Sequence, residues 1–221
     1  FTWILFTTRF AQKTKELKMN KLRVGICGWG NVATGLFKTL QTNSVEIKKR
    51  SNLEIEIIAI GARRDNPKCD PGNVIIERDI FKIIDHDIDV IVELIGGVDV
   101  ARDLILKALN AKKHVVTANK AVIFNHGDEL FSVANKNGVK LLYESSVCAG
   151  TPIIKLLNQE LAASKISKIS GMLNGTSNFI LSNMEEGMEF EPTLKLAQEK
   201  GYAEPDPSFD IEGTDAAHKI G

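Results

Sequence analysis

VGICGWGNVATG, residues 24–35, places four glycines in twelve positions directly behind an apolar run. Gly28, Gly30 and Ala33 fit the pattern G-x-G-x-x-G/A. The first glycine permits a tight turn and the second lets the backbone approach a pyrophosphate. The small third residue lets a helix pack on a strand. The N–H groups that open the helix then face the phosphates. Glycine turns are common, so the pattern draws its weight from its neighbours. KLRVGIC (21–27) reads as a short strand. NVATGLFKTLQTN (31–43) carries Val32, Leu36, Phe37 and Leu40 at helical spacing. Gly28, Trp29, Gly30, Asn31, Val32 and Ala33 are therefore the candidate dinucleotide-binding residues.

Working outward, LEIEIIAIGA (53–62) alternates and then becomes wholly apolar, as a buried strand does. DIDVIVELIGG (87–97) is another apolar strand. ARDLILKALNAK (101–112) is a helix with Leu104, Ile105, Ala108 and Leu109 on one face. KHVVTAN (113–119) and VKLLYES (139–145) read as strands, with a helix between them containing GDELFSVANKNG (127–138). This alternation predicts an α/β, Rossmann-type doubly wound parallel sheet over residues 19–145.

The texture then changes. GTPIIKLLNQELAAS (150–164) reads as a helix with Pro152 in its first turn, and KISKISGML (165–173) as a strand. TSNFILSNMEEG (176–187) and EPTLKLAQEKG (191–201) read as helices. Residues 146–221 are expected to be the start of an α+β substrate and dimerisation domain. GTDAAHKIG at the end reads as a helix just begun, so this domain is expected to be cut short. Residues 1–18 are read as an upstream or non-native extension, with Met19 as the start.

Composition narrows the class. The 221 residues are 43% hydrophobic and 25% charged with a formal net charge of zero. That balance gives no footing for nucleic acid or an anionic membrane as partner. No run reaches the roughly 18 apolar residues a membrane helix needs. Cys27, Cys69 and Cys148 lie far apart without zinc spacing, which fits a reducing, cytoplasmic compartment.

Three further stretches carry chemistry. IGARRDN ends the second strand with Arg63 and Arg64, where an acidic residue would accept from a ribose 2′-hydroxyl. Guanidinium groups suit a 2′-phosphate, so NADP is preferred over NAD, with Asp65 as the opposing feature. VVTANKAVIF puts Lys120 directly after a strand, at the end of the sheet that borders a ligand crevice. GMLNGTSNFIL (171–181) holds a polar cluster that suits a helix cap or a polar ligand. GYAEPDPSFDIEGTDAAHK (201–219) is dense in acids, and Asp215 and Lys219 share a helix face four residues apart.

Taken together, these stretches resemble homoserine dehydrogenases. The matching segments also include VIVELIGG and YESSVCAGTPIIKLL, and they run from Leu22 to Lys219. The resemblance implies NAD(P)-dependent interconversion of L-homoserine and L-aspartate 4-semialdehyde in threonine and methionine biosynthesis. It implies Lys219 and Lys120 as catalytic lysines, with Lys120 also near the cofactor. Lys219 is preferred as acid/base and Lys120 as the group that orients substrate and the developing oxyanion. Glu204, Asp215, Asp210, Gly175 and Thr176 would bind substrate. Glu144, Val147, Ala149 and Thr151 would form a Na+ or K+ site from one carboxylate and backbone carbonyls, suitable chemistry for a hard cation. A homodimer is implied for the full-length protein.

Two alternatives stand beside this reading. One is another semialdehyde oxidoreductase using Cys148 as a thiol, although Cys148 has no neighbouring histidine in sequence and reads better as a small buried residue. The other is a dinucleotide-binding sensor without turnover, which would have no use for the acids and lysine of 204–219.

Overall fold

The computed structural model describes residues 21–221, so the extension assigned to residues 1–18 lies outside the described residues. The chain divides into two compact units, one running to Leu156 and the other spanning Leu157–Gly221.

In the first unit β1 (Lys21–Cys27) leads through the glycine turn into α1 (Asn31–Thr42). A second helix, α2 (Ser44–Ser51), precedes β2 (Glu54–Gly61). β3 (Ile75–Glu77), a 3-10 helix (Ile80–Asp85) and β4 (Val90–Glu93) follow. Then come α3 (Asp99–Asn110), β5 (His114–Thr117), α4 (Lys120–Asn137) and the two-residue β6 (Leu141–Leu142). The six strands are parallel in the order β3-β2-β1-β4-β5-β6. This is the doubly wound arrangement expected, and its order reverses between β1 and β4.

Alternation along the strands splits the core into two layers. Cys27, Ile91 and Val115 face one way, onto Leu104, Ile105, Ala108 and Leu109 of α3. Val24, Ile26, Val92 and Val116 face the other way, toward Ala33 and Phe37 of α1. Val32 was expected in that helical stripe but is 63% exposed. Ala33 and Phe37, four apart, take the inward face instead, with Leu36 and Leu40 beside them. Gly25 faces the 3-10 helix so closely that a Cβ would lie 2.7 Å from Ile83 Cγ2.

Several elements differ from expectation. β4 stops at Glu93 because the chain turns away through Gly96 and Gly97, both with positive φ. β6 pairs only at Leu141 and Leu142, and Glu144 already opens α5 (Glu144–Cys148). The helix expected over 150–164 reduces to α6 (Ile153–Lys155) and a π turn (Leu156–Glu160), with Pro152 just before it. None of these residues is buried, so no packing sustains a longer helix.

The second unit holds α7 (Gly175–Glu185), α8 (Phe190–Glu199), α9 (Ser208–Ile211) and α10 (Thr214–Ile220). The strand expected at 165–173 is absent. All six strands of the described residues precede Leu156, so this run has no ladder partner and its Ile166, Ile169 and Met172 are exposed. Ile180, Ala197 and Ala203 form a small core, bordered by Phe179, Phe190 and Leu194.

Candidate active site

The crevice of the first unit opens where β1 and β4 end. Gly28 has φ +102°, and a Cβ there would sit 2.5 Å from the Leu94 carbonyl oxygen. Only glycine fits, so the turn is fixed by the close approach of the two strand ends. Its N–H donates to the Gly61 carbonyl at 2.8 Å. Gly30 faces open space and precedes α1, whose first turn has no side-chain cap. Asn31 and Val32 are exposed there, leaving the N–H groups and positive pole of a twelve-residue helix for an anion. These features fit a pyrophosphate. The Trp29 ring is buried edge-on against Phe37 at 5.2 Å, and its carbonyl accepts from Asn66 Nδ2.

Beyond β2, Arg63 and Arg64 are both exposed. Arg64 borders a cavity of about 290 Å³ that Trp29, Ala62, Asp65 and Asn66 also line, whereas Arg63 does not line it. Asp65 is paired with Arg78 at 2.6 Å, and Arg78 also donates to the Ala62 carbonyl. Arg78 escaped sequence reasoning because β3 escaped it; the only signal was a basic residue after VIIE.

At the opposite side of the crevice Glu93 is fully buried at the end of β4. Its carboxylate accepts from Thr117 Oγ1 and from the Ile95 N–H. Thr117 Oγ1 accepts in turn from the Asn119 N–H at 2.9 Å. Asn119 then donates to the Gly97 carbonyl and caps α4 by accepting from the Val122 N–H. Lys120, half-buried, opens α4 on this scaffold. Glu93 therefore ties the loop after β4 to the loop that carries Lys120. Its signal was an acid inside the apolar run VIVELIGG. Cys27, close by, has its thiol pushed up to about 12 by burial and by Glu93, so it is no nucleophile.

The expected cation segment follows β6. The Glu144 carboxylate accepts from the Ile154 and Lys155 N–H groups, each at 2.9 Å, and so ties α5 to α6. The Thr151 N–H donates to the Cys148 carbonyl, closing a turn in which Ala149 has φ +47°. Val147 lies in α5 on the same segment. Cys148 is half-buried rather than buried, since it sits at the end of this short helix.

In the second unit the acids and lysine of the C-terminal stretch converge. Lys219 Nζ is 2.8 Å from Asp215 Oδ2 and donates to the Leu173 carbonyl at 2.7 Å. Asn174 donates through Nδ2 to Asp210 Oδ1 at 2.7 Å and to Asp215 Oδ2 at 2.9 Å. Its Oδ1 caps α7 by accepting from the Ser177 N–H. Gly175 is the first residue of α7, and Thr176, buried, donates to the Tyr202 carbonyl. Glu204 is exposed, and its carbonyl accepts from Gln198 Nε2. A carboxylate–lysine pair on a buried amide can pass a proton to or from an oxygen.

The strand order and glycine turn define a dinucleotide-binding type of α/β protein. Comparison with known proteins narrows this further. The family model for the homoserine dehydrogenase NAD binding domain matches residues 28–144, and the homoserine dehydrogenase model matches 152–221. The chain belongs to the homoserine dehydrogenase family. It is 50% identical over 204 residues to the homoserine dehydrogenase of Pseudomonas aeruginosa, covering 91% of this chain and 47% of that protein. The crystal structure of a homoserine dehydrogenase from Thiobacillus denitrificans is 43% identical with TM-score 0.85, covering 93% of this chain and 48% of that one. A hyperthermophilic archaeal homoserine dehydrogenase in complex with NADPH is 28% identical with TM-score 0.77, covering 90% and 67%. The chain spans about half the length of the bacterial relatives named here.

Proposed function

We propose that the complete protein interconverts L-homoserine and L-aspartate 4-semialdehyde with a nicotinamide dinucleotide, as part of threonine and methionine synthesis. The observation that carries this reading is the Lys219–Asp215 pair, 2.8 Å apart and anchored on Leu173 and Asn174. It occurs in a chain of this family that also has the Gly28 turn.

When bound, the cofactor takes up or returns the hydride at its nicotinamide. Gly28, Gly30 and the uncapped start of α1, with Asn31, Val32 and Ala33, hold the pyrophosphate. Arg64 beside the cavity, with Asp65 already occupied by Arg78, supports a 2′-phosphate and hence NADP over NAD. Arg63 is the weaker contributor. Lys219 is the acid/base: as an ammonium it protonates the carbonyl oxygen during reduction, and as an amine it accepts the hydroxyl proton during oxidation. Asp215 steadies its charged form and, with Asp210, binds the polar ends of the substrate. Gly175 and Thr176 shape the turn beneath, and Glu204 receives the substrate ammonium. Lys120 orients substrate and the developing oxyanion from its place at the start of α4.

The Glu144 segment, with carbonyls of Val147, Ala149 and Thr151, is proposed to take Na+ or K+. A cytoplasmic homodimer completes the reading. Exposed Leu181, Met184 and Ile169 of the second unit supply apolar surface for it.

The test is homoserine-dependent reduction of NADP+ and then NAD+ by the complete gene product. Lys219→Ala and Lys120→Ala are expected to cut kcat by about 10²–10⁴-fold while cofactor affinity holds. Near-normal turnover in either variant removes that lysine from the mechanism. Cofactor binding without turnover in the unaltered protein overturns the reading.

A further inference from the structure

We infer that Asn174 is a positioning residue: it holds Asp210 and Asp215 together and thereby fixes the carboxylate oxygen that pairs with Lys219. The inference rests on the proposed acid/base role of Lys219.

Asn174 is 6% exposed, and three bonds fix its amide. The Ser177 N–H occupies Oδ1 at 2.7 Å, which directs Nδ2 the other way. An amide nitrogen has two hydrogens to give. One goes to Asp210 at 2.7 Å and the other to Asp215 at 2.9 Å. Two carboxylates aimed at one point repel, and without donors between them they come to share a proton. Here the two N–H groups of Asn174 stand between them and donate to both. Asp215 Oδ2, which receives one of these bonds, is also the oxygen paired with Lys219.

The second anchor of Lys219 is the carbonyl of Leu173, the residue before Asn174. The Asp210 carbonyl accepts from Ser177 Oγ, on the turn that Asn174 caps. One side chain thus fixes both acids, the oxygen shared with the lysine and the start of α7. An amide does not titrate, so these two donors are present at every pH.

A cap alone would account for the bond to Ser177 but not for the bonds to the two acids. Aspartate and serine are both good N-caps, so substitution separates the two roles. The experiment uses the complete gene product with Asn174→Asp and Asn174→Ser. It measures kcat, the kcat–pH profile for homoserine oxidation, and NADP+ affinity by fluorescence titration.

Asn174→Asp keeps the cap and replaces two donors with a third carboxylate. The expected result is kcat lowered by about 10²-fold. The rising limb of the profile moves to higher pH, because added negative charge makes Lys219 hold its proton more tightly. NADP+ affinity stays the same. Asn174→Ser keeps the cap without the charge, and kcat is expected to fall about tenfold with a smaller movement of the limb.

Wild-type kcat and profile in both variants would reduce Asn174 to a helix cap and overturn the inference. An equal loss of turnover and NADP+ affinity would signal general damage and also overturn it. Where Asn174→Asp does not fold, Asn174→Ser is judged by the same criteria. Absence of homoserine turnover in the unaltered protein is seen before either variant is made, and it sinks the proposed function itself.

Discussion

Both units bury polar groups, but the first encloses them within two extensive apolar layers, whereas the second has a small apolar core and exposes much of its apolar surface. In the first, Ile26, Ile60, Ile91, Leu104 and Val115 are wholly enclosed around the sheet. In the second, three buried apolar residues form the core, while Asn174, Thr176, Thr193 and Asp215 are also buried. Hydrophobic burial scales with area removed from water, so the first layer set supports its own fold. The second unit relies on hydrogen bonds whose partners must all be present, since a buried polar group that loses its partner costs more than the bond gave. Substitutions in the glycine turn and apolar layers of the first unit should therefore act on cofactor binding and global stability, and substitutions among Asn174, Asp215 and Lys219 of the second on turnover.

The sharpest way to break that contrast is Gly28→Ala. A Cβ would meet the Leu94 carbonyl at 2.5 Å in a backbone of φ +102°. The left-handed conformation costs about 1–2 kcal/mol and the overpacking about 1–3 kcal/mol. Dinucleotide affinity is expected to fall about 10²-fold, a loss of roughly 3 kcal/mol. Isothermal titration with NADP+ checks it. Retained affinity would mean that this turn is not the pyrophosphate cradle.

Next in size is a pair of core truncations. Leu104→Ala removes a fully buried side chain between α3 and the sheet and is expected to cost about 2–5 kcal/mol. Ile180→Ala, in a core bordered by half-buried neighbours that can close over the gap, is expected at the low end, about 2 kcal/mol. Urea unfolding followed with hydrogen exchange in α3 and α7 reads both. Equal costs would show the second unit to be packed as rigidly as the first.

The same contrast explains what could be read from sequence. The glycine turn, the flanking strand and helix, and the buried face of α3 were legible because each is local and periodic. The Asp215–Lys219 pair was legible from helical spacing. β3 was not, because three residues of strand sit behind NPKCDPGN, which reads wholly as turn. The expected strand at 165–173 had suitable composition, but a strand exists only with a partner to bond. Glu93 and Asn174 were invisible as organisers. What each does depends on residues 24 to 41 positions away, such as Thr117 and Asp215, which no local pattern joins.

The smallest predicted effect tests the end of β5 opposite the one that leads to Lys120. His114 opens β5, and its Nδ1 accepts from the Lys140 N–H at 2.9 Å. That bond needs the nitrogen unprotonated. Burial lowers the imidazole from its ordinary 6.5; Asp89 pulls the other way and Lys140 adds to the lowering. The unfolded chain therefore takes up the proton first as pH falls. Stability from this group is complete above about pH 6.5 and is lost as pH drops through the folded value below it. The Tm is expected to decline slightly from pH 7 toward 5. In His114→Asn, where an amide oxygen can accept the same bond without titrating, that decline should flatten. An unchanged slope in His114→Asn would show that the bond from Lys140 to His114 does not carry the acid sensitivity.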